Sequence, residues 1–186
     1  MRAQSYSRRA AGLALAAARA HGAETRLLDL REAGLPTYSP DAGVAGHEGL
    51  SAANAAVGWA DAFLLATPDY HGSMSGVLKN FLDFYWEEFA GKLFGYVCAS
   101  HEKGLTAMDQ MRTAVRQCYG WSLPYGVSLY GEQDFDAAGR ITNAQLGRRL
   151  RMLARDLVVY GSFIREQFRR DLADASAETF AARYRD

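Results

Sequence analysis

The stretch TPDYHGSMSGVLKNFLDFY, Thr67 to Tyr85, places an acid, an aromatic ring, a histidine and a glycine side by side at Asp69, Tyr70, His71 and Gly72. It follows the apolar run AFLLA, Ala62 to Ala66, and leads into an amphipathic segment. Asp69 and His71 are acid–base types, but they are neighbours in a turn with no nucleophile nearby, so a hydrolase reading carries little weight. Pro68 fixes φ and directs the chain away from the strand. Gly72 lets backbone approach a flat ligand closely, and Tyr70 offers an aromatic surface beside it. The same residues also suit a plain strand-to-helix connector with Ser73 as its cap.

Two further groups could bind. A helix beginning near Ser7 presents unpaired N–H groups and a positive dipole end. With the hydroxyls of Ser5 and Ser7 and the cation of Arg2, it can hold a terminal phosphate; on Ser5 and Ser7 alone, an N-cap explains them as well. The loop Ser100-His101-Glu102-Lys103-Gly104 follows a second apolar run, Leu93 to Ala99. It is read as a ligand loop or as a solvated surface loop. The four histidines are scattered, with no metal-ligand spacing.

These groups need elements to position them. Ala10 to Ala20 has helical periodicity, ended by His21-Gly22. Thr25 to Leu30 reads as a short strand, 31–48 as a long loop and Leu50 to Trp59 as a helix. Ala62 to Thr67 and Leu93 to Ala99 read as buried strands, with a helix over Ser75 to Phe89 between them. A helix over Gly104 to Tyr119 and a strand at Val127 to Tyr130 follow. Asn143 to Phe168 carries leucines at helical spacing, and the tail from Arg169 is polar. Continuous apolar strands alternating with helices imply an α/β fold with a mostly parallel sheet covered on both faces. Such sheets bind ligands beyond the carboxyl ends of their strands, where Thr67–Ser73 and Ser100–Gly104 lie.

The length of 186 residues suits a single domain, 1–186. Lys plus Arg and Asp plus Glu both number 21, so charge makes no case for nucleic acid or an anionic membrane as partner. Cys98 and Cys118 form no CxxC pair and read as buried free thiols in a reducing compartment. No apolar run reaches transmembrane length, and no signal-peptide pattern opens the chain. The expected location is cytoplasmic.

Thr67 to Asp83 resembles the signature of the NADPH-dependent FMN reductase family, TPEYNGSxPGxLKNxLD, with Asp69 for Glu, His71 for Asn and Ser75 for Pro. Arg2, Ser5 and Ser7 resemble the last three marked positions of that family's first loop, GSxRxxSxN, with Ser for Asn. LDLREAGLPTYSPD is similar to its DL…LPLYD region. The resemblance implies a flavodoxin-like fold and an oxidoreductase that moves hydride from NADPH or NADH to FMN and on to a small acceptor. It implies FMN contacts from Arg2, Ser5, Ser7, Pro68, Asp69, Tyr70, His71 and Gly72. Where the family has a Gly-rich loop on the flavin, this chain offers Ser100, His101 and Gly104. Flavin carries the chemistry, so no protein acid or base is required. Lys79, Asn80 and Asp83 match the signature and suit packing, helix ends or a subunit contact. The aromatic residues Phe81, Phe84, Tyr85, Trp86 and Phe89 suit core or a homodimer or homotetramer interface. The rival readings are a flavodoxin-type electron carrier, or a truncated, non-catalytic remnant of the fold.

Family members begin with an apolar strand that feeds the phosphate loop, whereas only Met1 to Gln4 precede Ser5 here. The expectation is four sheet strands instead of five, with the first strand missing, Arg2 and Ser5 poorly anchored, weak FMN binding and marginal folding. Either the gene product is longer at its start or the strand was lost.

Overall fold

The computed structural model describes residues 5–41, 46–176 and 178–185. Arg2 lies outside them. The chain runs α1 (Tyr6–Ala20), α2 (Leu30–Ala33), α3 (Glu48–Trp59), β1 (Ala62–Tyr70), β2 (Ser73–Met74), α4 (Gly76–Asp83), β3 (Leu93–Ala99), α5 (Leu105–Gln117), β4 (Trp121–Ser122), β5 (Val127–Leu129) and α6 (Ala144–Ala173).

β3 is the centre of the sheet. It pairs in parallel with β1 from Ala62↔Leu93 to Pro68↔Ala99. Its other edge carries β4 at Leu93↔Trp121 and then β5 at Val97↔Val127. β2 folds back antiparallel on the end of β1, Asp69↔Met74. Six of the seven β3 residues are buried, as the unbroken apolar run requires of a strand covered on both faces. Val97, Val127, Leu150 and Leu153 form the core on one face beneath α1 and α6. Phe94, Tyr96, Met111 and Phe81 form the other beneath α3, α4 and α5. α6 sits close to the sheet because Gly95 and Gly161 lack side chains; a Cβ on Gly95 would lie 3.0 Å from Leu157.

Three expectations are corrected. Residues 25–30 are not a strand: Glu24 to Leu28 form no backbone hydrogen bond among the described residues. An extended segment becomes a strand only with a ladder partner beside it, and the outer edge of β1 stands off across a cavity. The sheet accordingly has five short strands rather than four, because β2 and β4 were not foreseen. Nor is Ser5 poorly anchored. It N-caps α1, its Oγ accepting from Arg8 N at 3.3 Å and bonding Ser7 Oγ at 2.9 Å.

Boundaries also shift. The expected helix over 75–89 stops at Asp83, and a short turn at Glu87–Phe89 follows. That break lets Phe89 meet Phe94, ring centres 4.9 Å apart. The last helix runs on to Ala173. The loop after α2 is held by one side chain: Asn80 donates to Pro36 O and accepts from Tyr38 N, each at 2.8 Å. Phe81, Tyr85 and Phe89 are core, while Trp86 is 63% exposed. Among the described residues no helix is long and apolar enough to cross a membrane, and no group of His, Cys, Asp and Glu is placed to hold a metal.

Candidate functional site

The carboxyl ends of β1, β3 and β5 and the N-terminus of α1 meet at one edge of the sheet. Ser5, Ser7, Pro68, Asp69, Tyr70, Ser100 and His101 line a cavity of about 1170 Å³ that opens there. Asp69, Gly72, Ser100, His101 and Gly104 line an adjoining cavity of about 610 Å³. Ten of the eleven residues anticipated from sequence are described, and nine of these line one or both spaces. The exception, His71, is exposed.

β1 runs to Tyr70 because Thr67 ties it down. The fully buried Thr67 Oγ1 accepts from Ser75 N at 2.9 Å and so fixes the start of α4. The N-cap position of α4 is Ser75, not Ser73, and the Ser75 side chain makes no capping bond. Between the two lies a two-residue hairpin, with His71 at φ 57° and Gly72 at φ 76°. Successive positive φ values match the twist of paired strands, and they strain a side-chain-bearing residue such as His71. Asp69 offsets that strain: its Oδ1 accepts from Gly72 N at 2.8 Å, and its Oδ2 accepts from Ser100 Oγ at 3.2 Å. One carboxylate therefore joins the hairpin to the loop after β3. Ser100 Oγ in turn accepts from Glu102 N at 3.1 Å. Gln110 of α5 buttresses the hairpin by accepting from Ser73 Oγ at 2.6 Å and donating to Gly72 O at 3.4 Å.

Gly104 opens α5 at φ 61°, where a Cβ would lie 2.7 Å from Cys98 Sγ. Burial, with the nearby Asp69 carboxylate, pushes the Cys98 thiol up to about 12. It is a neutral packing group under the site and not a nucleophile.

Sequence reasoning missed Tyr130 and Gln110. Tyr130 borders both cavities. It follows β5 directly, so the rule that ligands sit beyond strand carboxyl ends already pointed to it. Gln110, inside a helix, gave no signal.

The residues present fit an FMN. α1 aims its first N–H groups at the cavity mouth, and two serine hydroxyls stand beside them, a cradle for a phosphate. At the other end the hairpin offers backbone to a flat ring: a Cβ on Gly72 would meet no protein atom within 4 Å.

The comparisons with known proteins agree. The family described as NADPH-dependent FMN reductase matches residues 1–134. An NADPH azoreductase of Bacillus sp. (strain OY1-2) is 30% identical over 138 residues, spanning 73% of this chain and 74% of its own. The NADPH-dependent FMN reductase ArsH of Shigella flexneri is 27% identical over 192 residues, spanning 98% of this chain and 73% of its own. Among solved structures, FerB, a flavoenzyme NAD(P)H:(acceptor) oxidoreductase from Paracoccus denitrificans, superposes with a TM-score of 0.75 at 19% identity. It covers 88% of this chain and 93% of that one. A flavodoxin, WrbA-like protein from Agrobacterium tumefaciens superposes with a TM-score of 0.60 at 19% identity over 86% of this chain and 93% of its own, so the fold is flavodoxin-like. With its signature turn, its serine-flanked helix start and its sheet all matched, this chain belongs to the NADPH-dependent FMN reductase family.

Proposed function

We propose that the chain is a single-domain FMN enzyme that oxidises NADPH or NADH and reduces a small acceptor such as a quinone, an azo compound or free flavin. The observation that carries this reading is the convergence of the α1 N-terminus, the Asp69–Gly72 hairpin and the Ser100 loop on two adjoining cavities that share Asp69, Ser100, His101 and Tyr130. FMN, when bound, supplies the two-electron chemistry between nicotinamide and acceptor.

The protein's part is to bind and orient. Ser5, Ser7 and the first N–H groups of α1 hold the phosphate, with Arg2 adding positive charge. Backbone from Pro68 to Gly72, with His71 contributing main chain, would hold the ring together with the Tyr70 side chain, and Ser100, His101 and Gly104 of the loop after β3 would complete its seat. No side chain is needed as acid or base, which agrees with the Asp69 carboxylate being used to hold the two loops together.

A homodimer or homotetramer is proposed on the exposed aromatic surface, Trp86 at 63% and Phe163 at 64%, and a cytoplasmic location on the unpaired cysteines. Purified protein mixed with FMN and excess NADPH under air tests the activity. Steady NADPH loss supports the enzyme. A single stoichiometric reduction without turnover supports an electron carrier, and no FMN binding supports a remnant.

A further inference from the structure

The loop after β5 carries a buried acid, Asp134, only 3% exposed. Two neutral donors take its carboxylate oxygens: Oδ2 accepts from Tyr130 N at 2.6 Å, and Oδ1 accepts from Asn143 Nδ2 at 2.7 Å. A carboxylate is costly to bury unless its oxygens are bonded, and bonds to an ionised acceptor are the stronger kind. Asn143 is the N-cap of α6, its side chain accepting from Gln145 N and Leu146 N. One Asp134 oxygen therefore steadies the start of α6, and the other holds the residue at the end of β5.

Tyr130 is fixed from other directions as well. Gly131 has φ 62°, and a Cβ there would lie 3.0 Å from the Tyr6 ring. Tyr6 is the first residue of α1, and its ring meets that of Phe135 with centres 5.6 Å apart. Asp134 N donates to Gly131 O at 3.1 Å, and Thr142 N donates to Asp134 O at 2.9 Å. With its backbone held in this way, Tyr130 is still 39% exposed, and it borders both cavities beside Ser100 and His101. The hydroxyls of Tyr85 and Tyr125 bond Asn54 and Asp156. The hydroxyl of Tyr130 makes no bond among the described residues.

We propose that Tyr130 is a further FMN-binding residue, its hydroxyl donating to the polar ribityl-phosphate arm, and that Asp134 is the positioning residue that holds it there. The inference rests on the FMN reading above. Gly131 packs on the first residue of α1, so Tyr130 stands at the serine cradle's end of the site. The arm, not the ring, is the part of FMN that the cradle draws to this end. A tyrosine hydroxyl donates readily to the oxygens of such an arm.

The test is fluorescence titration of the 186-residue apoprotein with FMN and with riboflavin, alongside thermal melts. Tyr130→Phe removes the hydroxyl alone. It is expected to keep the parental melting temperature and to lose about fivefold to tenfold in FMN affinity. An equal fold loss for riboflavin puts the bond on the ribityl chain; a smaller one puts it on the phosphate. Asp134→Asn sets a donor against a donor and is expected to lower both melting temperature and FMN affinity. In a Tyr130→Ala background it should still lower the melting temperature but weaken FMN by no more than about twofold further, because a positioning residue acts through the residue it holds. Where Asp134→Asn does not fold, Asp134→Ser, which keeps one uncharged acceptor, takes its place. A parent that binds neither flavin overturns the FMN reading and this inference together. A Tyr130→Phe variant that binds FMN as the parent does overturns this inference alone, and so does an Asp134 variant whose affinity loss is undiminished in the Tyr130→Ala background.

Discussion

Ser100 Oγ donates to Asp69 Oδ2 at 3.2 Å, joining loops that leave two different strands of the sheet. The other oxygen of the same carboxylate holds Gly72 N, inside a hairpin with two positive φ values in succession. The proposed ring seat is thus preformed by one side chain. Preorganisation of this kind raises affinity by removing the ordering that binding would otherwise require.

Asp69→Ala should weaken FMN binding by about tenfold, and Ser100→Ala by less, because the bond from Gly72 survives in the second variant. The two losses should fall short of additive in the double variant, since both break one contact. Fluorescence titration of FMN measures this; fully additive losses would mean that the two residues act separately.

The positive φ at Gly72 is open to any side chain in space but not in conformation. Gly72→Val should abolish FMN binding while far-UV circular dichroism stays near that of the parent, since a branched Cβ both resists φ 76° and projects toward the ring. Parental affinity in this variant would place the ring elsewhere.

Ser5 has an observed role as N-cap and a proposed one at the phosphate to separate. Ser5→Ala removes the cap and should cost about 1 kcal/mol of stability, and it should weaken FMN more than riboflavin, which lacks the phosphate. Ser5→Asp keeps a capping oxygen but sets an anion beside the phosphate. It should hold its melting temperature near the parent's and bind FMN more weakly than Ser5→Ala does. Equal losses for FMN and riboflavin in both variants would remove the phosphate role.

Lys92 offers a pH test of the core away from the site. Burial holds its ammonium down to about 8, with Arg165 deepening the shift and Asp61 opposing it, and its Nζ donates to Val57 O. The fold favours the neutral amine. The stability it contributes is therefore full above the unfolded lysine value, about 10.4, and is lost as pH falls through about 8. The parent should gain stability over Lys92→Met as pH rises from about 7 to about 10, read from urea melts at each pH. A constant difference would contradict the burial argument.

Much of this was legible in the sequence, for reasons that can be named. β3 declared itself because a strand covered on both faces carries apolar residues without a break, and Leu93–Ala99 does. The Asp69–Gly72 hairpin was legible as a turn beyond a strand, but its closure by β2 was not. That depends on Thr67 and Ser75 meeting across eight positions. Thr25–Leu30 has strand composition, yet composition supplies no hydrogen-bond partner: Glu24–Leu28 form no backbone hydrogen bond among the described residues, and Leu30 opens α2. The bond between Asp69 and Ser100 was not legible for a related reason: it spans 31 positions, and only the sheet brings the two together.

The most direct test of the flavin assignment is to titrate the purified chain with FMN and then follow NADPH absorbance under air. The site described here requires saturable binding of one FMN per chain and NADPH loss that continues through many turnovers. FMN that stays free in solution, or bound FMN that NADPH fails to reduce, would contradict it.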